Sequence, residues 1–111
     1  MADGFFHRAS EDMPWACAPM RGVSYKSLRF QPETRAGAVL VHMTPGTTYP
    51  RARMHAGAEI FVIDGDLEQD GALIGRGGYC HLPAGMDAAP ATRHGCVLFV
   101  TFPGQVENLH R

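Results

Sequence analysis

The chain has 111 residues, which is room for one domain and one hydrophobic core. Its composition, 45% hydrophobic and 19% charged, is that of a globular protein and sets intrinsic disorder aside. Ten basic against eleven acidic side chains leave a formal charge of -1, without the basic excess that tracks phosphates, so no nucleic-acid partner is expected.

The first residues, Met1 to Ser10, lack the apolar stretch of a secretory signal, and no apolar run approaches the roughly 20 residues of a membrane helix. No membrane partner is expected, and a cytoplasmic location is. Residues 1–13 are largely polar and read as an N-terminal arm. Beyond them, thirteen Gly and eight Pro interrupt the chain too often for a helical apolar period to persist, which leaves short strands. Five segments have the β-branched, aromatic and aliphatic content of strands between turn formers: Val23 to Leu28, Gly37 to Thr44, Ala58 to Asp64, Gly78 to Leu82 and Gly95 to Phe102. Their spacing predicts an all-β sandwich or barrel occupying residues 14–104, with 105–111 as a C-terminal tail.

Two of these strands, at Ile60-Phe61-Val62-Ile63 and Val97-Leu98-Phe99-Val100, are apolar on both faces. One face lies on the core, so the other needs cover from the region of Trp15 or from a second subunit, and a homodimer is expected. Cys17, Cys80 and Cys96 are odd in number and widely spaced, which fits packed, reduced thiols better than a disulfide framework.

From Pro45 the chain reads Pro-Gly, five residues from Thr47 to Arg51, then Ala52-Arg53-Met54, then His55-Ala56-Gly57, then Ala58, then Glu59 to Asp64 before Gly65. Further on stand Gly77, five residues, Pro83-Ala84-Gly85, two residues and Ala88. These spacings resemble the two cupin motifs, Pro-Gly-x5-His-x-His-x3-Glu-x6-Gly and Gly-x5-Pro-x-Gly-x2-His. The glycines and prolines agree because turns need them. Flanking residues, among them Pro14-Trp15, Leu40-Val41-x-Met43-x-Pro45-Gly46, Tyr49-Pro50, Ala89-Pro90 and Gly95-Cys96, narrow the resemblance to the ChrR-type cupin-like family over residues 14–102. The resemblance implies a small single-domain cupin barrel, the RmlC-like jelly roll. In the ChrR anti-sigma factors a zinc-binding half precedes the cupin. These 111 residues leave no room for it, so a stand-alone form of the domain is expected rather than a complete anti-sigma factor.

The resemblance also implies a divalent metal such as zinc or iron, but at the family's ligand positions this chain carries Ala52, Met54, Ala58 and Ala88. Alanine has no lone pair to donate, and a single thioether does not hold such a metal against water. No metal and no other cofactor is expected in this register. A rival register, one residue later, places Arg53, His55 and Glu59 at the first-motif positions; it turns the ligands to the other face of the strand unless a bulge intervenes. The polar residues that could reach the pocket are His42, Tyr49, His55, Glu59, Tyr79 and His81, although a lone strand histidine is more often hydrogen-bonded or at the surface. His7, His94 and His110 read as solvent-exposed, Asp87 as a turn residue, and Arg51 with Arg53 as a strand edge or an anion clamp at the barrel mouth.

Removing the bulk and charge of four ligands should leave a wider, more apolar hollow suited to a small organic molecule. The expected function is a small-molecule-binding or sensing module. The alternatives are a cupin enzyme acting on a small carbonyl compound, as a metal-dependent dioxygenase or a metal-free isomerase, and a domain that docks on another protein.

Overall fold

A computed structural model describes residues 4–109. The first three residues of the expected arm, and the expected exposed His110 with Arg111 at the end of the tail, lie outside the described residues. The described chain forms ten strands in sequence order: β1 (Ala16–Cys17), β2 (Val23–Gln31), β3 (Ala36–Met43), β4 (Ala52–Met54), β5 (Ala58–Gln69), β6 (Ala72–Gly75), β7 (Tyr79–Leu82), β8 (Met86–Ala88), β9 (Cys96–Phe102) and β10 (Val106–Asn108). A single 3-10 turn at Ser10–Asp12 precedes them, and no helix among the described residues is long and apolar enough to cross a membrane.

The strands pair into two antiparallel sheets. The larger runs β1-β2-β3-β9-β5-β6 with β7 also on β5, and the smaller runs β10-β4-β8. Alternation along each strand decides which side chains face the space between them. On β3 the inward set is Val39, Val41 and Met43, on β5 Ala58, Ile60 and Val62, and on β9 Cys96, Leu98 and Val100. The inward residues merge with Val23, Leu67, Leu82, Ala52, Met54 and Ala88 into one apolar core.

The five strands expected from composition appear as β2, β3, β5, β7 and β9. One boundary needs correction: residues 106–108 are β10, pairing Val106 with Met54 and Asn108 with Ala52, so part of the expected tail belongs to the second sheet. Three polar-flanked residues carry little strand signal of their own, and the ladder to β4 supplies the order.

Strand β5 is 12 residues long, bends along its length and pairs with three strands, β6, β7 and β9. The register against β9 slips between Val62 and Asp64, a bulge that leaves Ile63 without a partner. At the bend Gly65 takes φ +82°, and a Cβ there would stand 2.0 Å from the Gly95 carbonyl oxygen. Only glycine fits that crossing, which is the physical content of the residue closing the first motif.

The N-terminal arm is held on the outer face of β2 and β3. The Lys26 Nζ donates to the Ser10 carbonyl at 2.7 Å and lies 4.6 Å from the Trp15 ring centroid, while that ring stands 5.7 Å from His42. The arm therefore covers only one end of the outer face. Phe61, Ile63 and Tyr79, toward β5 and β7, stay exposed.

Candidate functional site

A cavity of about 370 Å³ lies between the two sheets. The larger sheet supplies Val23 and Tyr25 from β2, Val39, Val41 and Met43 from β3, Leu98, Val100 and Phe102 from β9, and Ala58, Ile60 and Leu82 from β5 and β7. The smaller sheet supplies Met54, Val106 and Asn108, and Ala18, Pro19, Met20, Tyr49 and Pro90 complete the wall from loops. Among the described residues, Tyr25, Tyr49 and Asn108 are the only lining residues with a polar side-chain group, and none carries a carboxylate, an amine, a guanidinium or an imidazole.

All four residues at the resembled ligand positions are buried on the inner faces. Met54 and Ala58 line the cavity itself. Ala52 and Ala88 face each other across the β4–β8 ladder, packed into the wall beside it. This donor set does not suit a divalent cation: three methyl groups and one thioether offer no hard or borderline ligand. Among the described residues no group of three or more His, Cys, Asp or Glu is placed to hold a metal ion.

The rival register is corrected by the pleat. Arg53, between inward Ala52 and Met54, points out of the second sheet and donates from Nε to Asp87 Oδ1 at 2.8 Å and from Nη2 to Asp87 Oδ2 at 3.3 Å. This pairing replaces both the turn reading of Asp87 and the anion clamp, since the guanidinium already has its carboxylate. His55 Nε2 lies 2.7 Å from Glu107 Oε1 on the same outer surface. Glu59, one residue after inward Ala58, is exposed on the outer face of β5.

Five of the six expected polar pocket residues therefore do not line the cavity: His42, His55, Glu59, Tyr79 and His81. His42 alternates with buried Val41 and Met43, and it meets Trp15 outside. Tyr79 and His81 alternate with half-buried Cys80 and buried Leu82, and His81 stands opposite Glu59 in the β5–β7 ladder. Tyr79, Phe61 and Glu59 share that outer surface, where desolvation raises the Tyr79 phenol above its ordinary pKa and the Glu59 carboxylate adds to the effect.

Tyr49 is the one that does line the cavity. Burial raises its phenol pKa above the ordinary value, so it is a neutral donor at physiological pH, and its hydroxyl has no hydrogen-bond partner among the described residues. Its backbone is fixed by a chain of bonds from β5. Asp66 Oδ1 accepts from Thr92 Oγ1 at 3.1 Å and from the Arg93 amide at 2.8 Å, and Oδ2 meets the His94 amide at 3.2 Å and His94 Nδ1 at 2.8 Å. The Thr92 amide then donates to the Thr47 carbonyl at 2.9 Å, and the Tyr49 amide to the Pro90 carbonyl at 2.8 Å. The Arg93 amide, with lesser help from His94 and Thr92, holds the Asp66 carboxyl below the usual carboxylate range.

Two polar lining residues, Tyr25 and Asn108, were not expected. Tyr25 could have been found from its spacing to Val23 on one strand face. Asn108 could not, because its position depends on pairing with Ala52 56 residues earlier in the chain. Cys80 and Cys96 are held above the ordinary thiol pKa mainly by burial, which makes them packing groups rather than nucleophiles.

No curated protein matches this chain. Among solved structures, the acetylacetone dioxygenase of Acinetobacter johnsonii superposes with a TM-score of 0.81 at 15% identity, over 99% of this chain and 80% of that one. The polyketide cyclase RemF of Streptomyces resistomycificus gives 0.75 at 17%, over 97% and 87%. A chain of the Rhodobacter sphaeroides complex of SigE with the anti-sigma ChrR gives 0.73 at 18%, over 86% and 52%. At such identities these likenesses establish the RmlC-like cupin fold and nothing about chemistry. The sequence signature of the ChrR cupin-like domain, in contrast, matches residues 4–107, and on that match the chain belongs to the ChrR cupin-like domain family.

Proposed function

We propose that this cupin is a metal-independent binding module for a small organic molecule, which it holds between its two sheets. The observation that carries the reading is the lining of the 370 Å³ cavity: aliphatic, thioether and aromatic side chains with two phenols and one amide. Burial of an apolar ligand there is favourable by about 25 cal/mol per Å² removed from water. A proton-transfer reaction would need a base, and among the described residues the walls hold no imidazole or carboxylate to serve as one. That lining favours binding over the isomerase and dioxygenase readings.

Met20, Met43 and Met54 all line the cavity, so their ε-methyl groups report its occupancy. The test is methyl-selective NMR of methionine-labelled protein titrated with toluene, indole and cyclohexanone. Shifts in the signals of Met43 and Met54 are expected. Methyl spectra that no compound perturbs, together with an unchanged Tm, would refute the reading.

The assembly state belongs to the same proposal. Phe61, Ile63 and Tyr79 are 44%, 42% and 57% exposed on the outer face of the larger sheet, beyond the reach of the arm. A second copy of the chain covering that face accounts for these residues, and light scattering after gel filtration is expected to report a dimer that Phe61→Lys converts to a monomer.

A further inference from the structure

We infer that the ligand is uncharged, smaller than an ordinary drug-sized molecule, and bears one hydroxyl or carbonyl group that the Tyr49 phenol recognises. This rests on the binding role proposed above and adds the ligand's chemical class. Among the described residues the walls lack any charged side chain. A carboxylate or ammonium entering the cavity would lose its hydration and meet no side chain of opposite charge, because the charged residues of the second sheet, Arg53, Asp87 and Glu107, lie on its other face and pair with one another or with His55. Lys26, the cation nearest the core of the larger sheet, is likewise turned outward and bound to the Ser10 carbonyl. A charged ligand is thus rejected by an uncompensated desolvation cost.

The polar group follows from Tyr49. Its side chain lines the cavity, its hydroxyl has no hydrogen-bond partner among the described residues, and burial keeps it protonated, so it can donate to a carbonyl or exchange a bond with a hydroxyl. Its backbone is positioned by the Pro90 carbonyl and the Asp66-anchored loop, so its orienting role does not require the ligand to order it. The size follows from the volume, near the lower end of the range of about 300 to 1,000 Å³ seen for ligand pockets, and corresponds to about one or two rings. Thioethers from Met43 and Met54 on opposite walls suit the faces and edges of such rings.

Three naphthalenes of nearly one shape separate the terms: 2-naphthol, 2-methylnaphthalene and 2-naphthoate, each titrated into the full chain at pH 7 and followed by naphthyl fluorescence and by equilibrium dialysis. The naphthol is expected to bind about tenfold more tightly than the methyl compound, the difference made by one neutral hydrogen bond. The naphthoate is expected to bind at least about a hundredfold more weakly than the naphthol. Tyr49→Phe should lower naphthol affinity to that of 2-methylnaphthalene, with a native-like Tm showing that the variant is folded. Naphthoate binding as tight as naphthol, or a naphthol preference that persists in Tyr49→Phe, would overturn the inference while leaving the binding role standing. Failure of both neutral compounds to bind would remove the binding role, and the inference with it.

Discussion

Ala58 is the position at which filling and charging the cavity give opposite, calculable results. It is 3% exposed, faces inward at the start of β5 and lines the cavity. Ala58→Leu adds three carbons that project into existing space. At about 0.8 kcal/mol per buried CH₂ the gain has an upper limit of about 2.4 kcal/mol, and contacts made imperfectly bring it nearer to about 1 kcal/mol. For a domain of this size, at about 4 °C per kcal/mol, Tm should rise by about 4 to 10 °C. Ligand binding should fall together with that rise, because the same volume is used twice. Ala58→Glu restores the carboxylate that the resembled motif places here, yet the walls offer it no cation. Its folded-state pKa should be raised, so the variant should be least stable at neutral pH and recover as pH falls toward the unfolded value of about 4.3. Urea unfolding of both variants at pH 4.5 and pH 7.5, with the naphthol titration alongside, is the assay. A destabilised Ala58→Leu with undiminished binding would show that position 58 does not border the ligand space, and the register on which the site rests would be wrong.

Divalent metal should be dispensable: protein purified without chelator should carry iron, zinc, nickel or manganese well below one equivalent by elemental analysis, and EDTA should leave Tm unmoved. Gly65→Ala should lose more than about 2 kcal/mol in urea unfolding, since a Cβ there meets the Gly95 backbone and the residue sits at φ +82°. Asp66 and Asp87 are both held below their ordinary pKa, the first chiefly by the Arg93 amide and the second chiefly by the Arg53 side chain. Their stabilisation is present above the unfolded carboxylate value near pH 4 and is lost as pH falls through the depressed values, so acid unfolding should be less steep below about pH 4 in Asp66→Asn and Asp87→Asn than in the native chain.

The parts of the fold legible in the sequence are those where local chemistry and tertiary structure agree. Val97-Leu98-Phe99-Val100 and Ile60-Phe61-Val62 are β-rich enough to form strands wherever they pack, and Gly65 announces a crossing that tolerates no side chain. The inward placement of Ala52, Met54, Ala58 and Ala88 follows from counting residues between turns. Strands β4, β8 and β10 are three residues each, and their order comes from pairing with one another. The expected polar lining differs from the observed one where a residue's chemistry and the period of two disagree. His42 sits between Val41 and Met43, and Glu59 between Ala58 and Ile60, so alternation alone directs both outward.

The split between what the motif retains and what it lacks has a physical basis. Gly65 stands where a Cβ would meet the Gly95 backbone, and Gly85 of the second motif has φ +84°, so these residues are demanded by the path of the chain. A ligand position makes no such demand. Ala52 against Ala88 closes the β4–β8 ladder as well as any pair of inward side chains, and Met54 and Ala58 present apolar surface to the cavity. The backbone frame of a metal-binding barrel and the coordination chemistry within it are thus energetically separable. In this chain the described residues of the frame place no carboxylate, amine, guanidinium or imidazole in its cavity, and Tyr25, Tyr49 and Asn108 supply its polar groups.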